Sequence, residues 1–566
     1  MNNLKEKIYR KKNFFIYTKW RFNFINYLIM FLILLIVIRI TFLQIIDTNK
    51  LIKEGNARFL RFKNTKVIRG TISDRNGKPL AISVPVKGIW VDPKNIEKKN
   101  IIKKDIRWNA LADILSIDIN SIIKKIQKNK TKRFIYIARQ IPLEITDYIE
   151  KLRIPGIHSI EEYRRYYPSG KVAAQLVGFT DIDGKGIEGV EKSFNKLLEG
   201  KYGIRKVIKD GKGNIIENIL VKSKTKSIDI ILSIDKKFQN ITYEILNKAV
   251  EKNKAKSGTA ILIDIKTGEI LSIVNSPSFN PNNVSNIKNI STIRDTAITD
   301  LFEPGSIVKP IVIMKALQIG LIKENSILNT MPFKLQGYKI KDLNTYEQLN
   351  AKDIIKKSSN VGVSRISLSM PSILLKNTYY EFGLGKLTNI GLVGERKGVL
   401  YKHVHPSELE KATFSFGYGL MVTPLQVAQL YSTIGSYGIF RPVSILKLKN
   451  KKNEKQIFPK EIIKKVIRMM ESVTTTGGSG VKAAVKGYHV AVKTGTVKKV
   501  GTNKKYINKY IAYTAGIAPS RNPKFALVIM INEPSQGKYY GGLVSAPIFS
   551  EIMSNILKLT NTKPDN

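Results

Sequence analysis

The sequence predicts a multidomain α+β protein: a single N-terminal transmembrane helix, a mixed α/β module, and then a larger domain of strands and helices. Three observations point there. The chain has 566 residues, more than one hydrophobic core usually serves, so two or three domains are expected. One stretch close to the N-terminus is apolar over the length that a bilayer requires. Beyond it, apolar runs of strand length between turn signals alternate with runs at helical spacing.

The elements follow in order. Residues 1–21 carry seven basic side chains (Lys5, Lys7, Arg10, Lys11, Lys12, Lys19, Arg21) against one acid, Glu6. Phe22 to Ile38 is apolar apart from Asn23 and Asn26, and after Arg39 the run resumes from Ile40 to Ile46. The anchor is therefore placed at 22–46. Its basic flank puts the N-terminus in the cytoplasm and everything after residue 47 outside it. No small-residue cleavage site follows, which favours an uncleaved anchor over a signal peptide. Residues 47–227 are read as one extracytoplasmic module with no recognisable chemistry. In it, Asn76-Gly77 between Thr71-Ile72-Ser73 and Leu80 to Val84 is a hairpin signal. Glu144 to Lys151 and Ile187 to Leu198 look helical, and the polar run Lys222 to Ser227 suits a linker. Residues 228–558 form the second domain, opened by Ile231 to Asp235 and a helix from Gln239 towards Ala249; 559–566 are a tail.

Three short motifs fall in one order in that second domain: Ser306-Ile307-Val308-Lys309, Ser358-Ser359-Asn360 and Lys493-Thr494-Gly495. A Ser and a Lys three apart on a helix share a face, which lets an amine take the proton of a hydroxyl nucleophile. In so Lys-rich a chain no single motif is selective. Ser-x-x-Lys recurs at Ser121, Ser193, Ser233, Ser444, Ser479 and Ser535, and Lys-Thr-Gly recurs at Lys266. Context separates them. Ser306 follows Glu303-Pro304-Gly305 and precedes an apolar run to Leu317, so it sits where a loop turns into a helix whose N-terminus favours an anion. Pro310 is tolerated in a first turn. Lys266-Thr267-Gly268 lies between two apolar runs and reads as a hairpin turn. Lys493-Thr494-Gly495 instead continues a strand, with Tyr510 to Ile517 as a candidate neighbour. A strand edge beside a nucleophile offers N–H groups to an oxyanion.

The formal net charge is +51, from 95 Lys and Arg against 44 Asp and Glu. The basic residues are spread through every segment, mostly as Lys among abundant Ile and Asn. A/T-rich codon usage accounts for that pattern, and no nucleic-acid partner is inferred. Runs such as Lys222 to Lys226 and Lys449 to Lys455 are then solvated loops. There is no Cys, which excludes disulfides, thiolate nucleophiles and thiolate metal sites. Of the four His, none lies in a nucleophile elbow, and His403 and His405 lack carboxylate company. No metal or cofactor is expected.

The ordered motifs resemble those of class B penicillin-binding proteins, most closely the septal, FtsI-type peptidoglycan D,D-transpeptidases of bacterial cell division. The likeness runs from the anchor nearly to the C-terminus. It includes Arg69 to Gly77, Arg165 to Gly170, Gly186 to Glu191, Phe302 to Ser306, Phe414 to Leu420 and Lys538 to Gly542. Gly178 to Glu191 and Phe414 to Thr423 favour the septal type over the elongation-specific class B enzyme. A β-lactamase or β-lactam-acylated sensor shares the three motifs, but neither normally carries such a module before them. A catalytically dead scaffold does not suit the intact motif residues.

What the resemblance implies is specific. Residues 47–227 become a non-catalytic, dimerisation-like pedestal. Residues 228–558 become a penicillin-binding, serine-β-lactamase-like transpeptidase domain with an antiparallel sheet flanked by helices. Ser306 is the nucleophile, and Lys309 its general base. Ser358 relays protons, and Asn360 holds the substrate amide. Lys493 and Thr494 anchor a carboxylate, Gly495 allows close approach, and the N–H groups of Ser306 and Thr496 form the oxyanion hole. Lys493 is expected to stay cationic while Lys309 works neutral, which requires a fall of about three pH units, roughly 4 kcal/mol, from an ordinary lysine. The implied partners are peptidoglycan stem peptides ending in D-Ala-D-Ala, β-lactams, and division proteins including an FtsW-like glycan polymerase. The implied place is the inner membrane at the division site, with the catalytic domain periplasmic.

Overall fold

The computed structural model describes residues 2–565 apart from 66, 98–104, 202, 210–214, 223–224, 401–405, 451–452, 502 and 504. His403 and His405 thus lie outside the described residues. The chain divides into two compact units, residues 1–67 with 201–226 and residues 68–200 with 227–566.

In the first unit a helix over Asn2–Thr41 runs on through one wider turn, Phe42–Ile46. Its Lys19–Ile46 stretch is long and apolar enough to cross a membrane, and it contains the anchor read from the sequence. Three antiparallel strands follow in the order Leu60–Thr65, Gly203–Lys209, Ile215–Lys222. Lys222, expected to open a linker, instead ends a strand, and Thr225 bridges Lys201.

In the second unit, strands β1 (Ile72–Ser73) and β2 (Pro79–Val91) are antiparallel across the Asn76-Gly77 turn, where Gly77 takes a φ of 78°. β2 also pairs with β3 (Ile135–Ile141) and β4 (Ile157–Tyr166). The helix expected over 144–151 is present at Leu143–Lys151. The one expected over 187–198 is two short helices, Gly189–Ser193 and Asn195–Glu199. The break falls at Phe194, with a φ of −108° and a ψ of 21°; next to it Asn195 Oδ1 accepts from Arg69 at 2.8 Å and from the Gly186 N–H at 3.0 Å. Beside it Glu191, fully buried, accepts from Arg69 Nε at 2.7 Å and Arg165 Nε at 2.6 Å.

Asp235 caps α1 (Lys236–Lys252) by accepting from the N–H groups of Lys237 and Phe238. Strands β5 (Ser257–Asp264) and β6 (Ile270–Ser276) are joined by the Lys266-Thr267-Gly268 turn, as expected. Next come α2 (Lys309–Gln318), α3 (Ala351–Lys357), α4 (Asn360–Leu368) and α5 (Pro424–Gly435). Strands β7 (Ala491–Val500), β8 (Tyr506–Ala518) and β9 (Phe525–Asn532) precede α6 (Gly541–Leu559). Strands β5 to β9 form one antiparallel sheet, ordered β6-β5-β9-β8-β7. β5 and β9 are buried along nearly their whole length, so the sheet is covered on both faces, with α1, α5 and α6 packed on it. β7 is left as an edge.

Two hydrophobic cores fill this unit. The larger joins Ile72, Leu80, Tyr167, Leu176, Val177, Phe179, Val190 and Leu198 to the catalytic sheet and its helices without interruption. The smaller is a lobe around Trp108, including Ile89, Val91, Leu111, Ile122, Ile137 and Ile154.

Candidate active site

The site gathers where three elements meet. Ser306 lies in a 3₁₀ turn, Gly305–Val308, that runs straight into α2. In such a turn residues three apart eclipse, so Ser306 and Lys309 face the same way. Pro310 falls within the first turn of α2, where its missing N–H costs nothing. The turn is clamped from several sides. Gly305 has a φ of 59° and donates its N–H to the Gly417 carbonyl at 3.1 Å. A Cβ on Gly417 would lie 2.2–2.6 Å from Gly305 backbone atoms, and a Cβ on Gly305 would lie 2.4 Å from Val497 Cγ2. Tyr431 on α5, fully buried, donates its hydroxyl to the Ile307 carbonyl at 2.8 Å. Glu303 accepts from the Gly419 N–H at 2.9 Å and from the Tyr506 hydroxyl at 3.0 Å, and burial raises its carboxyl above the usual range.

The second motif occupies the break between α3 and α4. Ser358 ends α3 with a φ of 62° and a ψ of 42°, a left-handed conformation that a serine adopts only when its surroundings impose it. Ser359 then caps α4, its Oγ accepting from the Gly362 N–H at 2.9 Å. The third motif lies within β7, whose edge position turns alternate backbone groups away from β8. Gly495 sits close to the Ser306 turn: a Cβ there would be 3.3 Å from Ile307 Cγ2 and 3.5 Å from the Pro304 carbonyl. Thr496 Oγ1 accepts from the Gly541 N–H at 2.9 Å, which docks the start of α6 onto β7. Thr494 Oγ1 lies 3.3 Å from Ser479 Oγ.

Ser358 Oγ is the hub. Lys493 Nζ donates to it at 2.8 Å and to the Thr494 carbonyl at 2.9 Å. Lys309 Nζ reaches the same Oγ at 3.3 Å, and donates to the Ser358 carbonyl at 2.5 Å and to Asn360 Oδ1 at 2.7 Å. Both lysines are wholly buried. Burial therefore disfavours charge on each: Lys309 is lowered to about 7, against a modest upward pull from Asp342. Lys493 is pushed well below its ordinary range by burial and then by the charge of Lys309. This direction runs against the expectation that Lys493 stays cationic while Lys309 works neutral. Two ammonium groups in one dry pocket repel, so they titrate as a pair.

Ser306, Lys309, Ser358, Asn360, Lys493, Thr494, Gly495 and Thr496 thus come from separated segments to one place. The arrangement offers a hydroxyl at a helix start, an amine poised near neutrality, a bridging hydroxyl and a second amine, which together suit acyl transfer. The motif reading missed Glu303, Asp342, Tyr431, Ser479 and Tyr506. Ser479, one of the recurring Ser-x-x-Lys serines, lines the third motif and is held by its N–H donating to the Lys356 carbonyl at 3.0 Å.

Comparison with known proteins adds three findings. Residues 258–554 match the penicillin-binding protein transpeptidase domain, and residues 64–232 match the penicillin-binding protein dimerisation domain. The chain is 56% identical over 566 residues to the peptidoglycan D,D-transpeptidase FtsI of Buchnera aphidicola subsp. Schizaphis graminum, covering all of this chain and 99% of that one. It is 52% identical over 549 residues to the protein of that name from Escherichia coli K12, covering 97% of this chain and 93% of that one. In fold, the crystal structure of a peptidoglycan synthetase from Bifidobacterium adolescentis superposes with a TM-score of 0.69 at 24% identity, covering 90% of this chain and 98% of that one.

Proposed function

The chain belongs to the class B penicillin-binding proteins, and on that premise we propose that it cross-links septal peptidoglycan as a D,D-transpeptidase through an acyl-enzyme on Ser306. The observation that carries this reading is Ser358 Oγ held between the amines of Lys309 and Lys493, with Lys309 one turn beyond Ser306. Ser306 attacks the carbonyl between the two terminal D-alanines of a stem peptide, and Lys309, in its neutral form, takes the hydroxyl proton. That proton passes through Ser358 to the departing amine as the peptide bond breaks, leaving an ester on Ser306. The amine of a neighbouring stem peptide then attacks the ester, gives up a proton by the same route, and frees Ser306. Asn360 holds the substrate amide. Lys493 and Thr494 meet the terminal carboxylate, whose charge favours the ammonium form that burial opposes in the free site. The N–H groups of Ser306 and Thr496 serve the oxyanion.

A fluorescent penicillin tests the chemistry. The adduct should map to the peptide containing Ser306 and disappear in Ser306→Ala with the melting temperature unchanged; an adduct at Ser479, which lies beside Thr494, would overturn the assignment. The wider setting is part of the same proposal. The anchor crosses the inner membrane once, with the N-terminus cytoplasmic, and the pedestal meets division proteins that include an FtsW-like glycan polymerase. A fluorescent fusion of the full chain should gather at midcell. Uniform lateral-wall labelling would argue for the elongation role and leave the chemistry intact.

A further inference from the structure

Asp342 belongs to none of the three motifs, yet it governs the second. It lies just past a short hairpin, Phe333–Leu335 with Tyr338–Ile340. One carboxylate oxygen accepts from the N–H groups of Asn360 and, at 3.0 Å, Val361. The other accepts from the Ser359 hydroxyl at 2.5 Å. Ser359 in turn caps Gly362, so four consecutive residues at the start of α4 are fixed, directly or at one remove, by one side chain. Asn360 carries the Oδ1 that receives Lys309, and the preceding Ser358 carries the hydroxyl shared by both lysines. A carboxylate at a helix N-terminus is also favoured by the helix dipole, which stiffens the arrangement.

We infer that Asp342 is a positioning residue for acyl transfer, holding Ser358 and Asn360 against Lys309 and supplying the negative charge that acts on Lys309. This rests on the acyl-enzyme reading above. Asp342 raises the affinity of Lys309 for its proton, in opposition to burial, while Lys493 and Lys309 repel each other. The other groups placed against Lys309 by the second motif, Ser358 and Asn360, are neutral. The carboxylate therefore has two separable effects, one geometric and one electrostatic.

Asp342→Asn and Asp342→Ala separate them. The amide oxygen of Asn still accepts from the α4 N–H groups but carries no charge; Ala removes both. The measurement is the second-order rate of labelling by fluorescent penicillin from pH 5 to 9, on the full-length protein in detergent, beside wild type and Ser306→Ala. Labelling requires neutral Lys309, so the rate rises with pH through its titration. In Asp342→Asn the Lys309 ammonium loses its nearby anion and gives up its proton sooner. The midpoint should therefore move to lower pH by about half a unit or more, with a plateau within about threefold of wild type. In Asp342→Ala the plateau itself should fall about tenfold or more, because Ser358 and Asn360 are no longer held against Lys309. A purely structural role would not move the midpoint. An Asp342→Asn profile that superimposes on wild type, or an Asp342→Ala plateau within twofold of it, overturns the inference. If Asp342→Ala does not fold, Asp342→Asn alone decides. Failure of wild type to label at Ser306 would instead sink the acyl-enzyme reading, so the two failures are distinct.

Discussion

Lys309 and Lys493 are two of the largest fully buried side chains among the described residues, in a protein whose other lysines mostly meet water. An isolated buried ammonium is costly, so the pair persists because Ser358, Asn360 and the Thr494 carbonyl receive it. With Lys309 lowered to about 7 by burial, its neutral form gains population as pH rises through that value. Penicillin labelling should therefore fall away below pH 7 and level off above it. Lys309→Arg should lose about a thousandfold or more in labelling rate at every pH, because Arg does not release its proton and a general base is worth 10²–10⁴. Labelling of Lys309→Arg at near the wild-type rate would remove Lys309 from the base role. The convergence of the motif residues was legible because their spacing and loop-to-helix context are local properties of the chain. Asp342 and Glu303 were not legible. Each is an ordinary carboxylate that acquires meaning only from partners brought near it by folding: residues 359–361 for one, Gly419 and Tyr506 for the other.

At the scale of elements, the nucleophile turn is shaped by what presses on it. Gly417 follows the helix Glu408–Ser415 and has a φ of 85°, with its Cα against the backbone of Gly305. Gly417→Ala adds a methyl where 2.2–2.6 Å is free, so either the turn or the loop must shift. We expect a loss of about 1–3 kcal/mol from overpacking, with more from the positive φ. The denaturation midpoint should drop, and labelling of Ser306 should slow in the surviving folded protein. An unchanged midpoint would mean that the loop has slack the packing does not show. The sequence foretold the hairpin at Lys266-Thr267-Gly268 and the strand at Lys493-Thr494-Gly495, since alternation and turn residues are local signals. It did not foretell the break between Gly189–Ser193 and Asn195–Glu199, which falls at Phe194 beside Asn195, a residue held by Arg69 from more than a hundred positions away.

For the whole molecule, the sheet order β6-β5-β9-β8-β7 joins the first two strands of the catalytic domain to its last three, and no local pattern encodes such a closure. The division of the chain into compact units follows packing in the same way. Between the cores of the second unit, the larger runs from Ile72 and Leu176 through to Phe549, whereas the lobe around Trp108 holds, among the described residues, only a dozen buried apolar side chains. Opening the small lobe exposes far less apolar surface, so it is the cheaper event. Amide hydrogen exchange in the full-length protein should show Leu111, Ile122 and Ile149 losing protection well before Leu176, Val190 or Ile529. Equal protection in both sets would contradict the division. The two cores also set what heat should see: on warming, the lobe around Trp108 should open before the larger core does. The short helix Ala174–Val177, within the segment that matches the dimerisation domain, buries its side chains in the larger core and should be lost only with the five-stranded sheet.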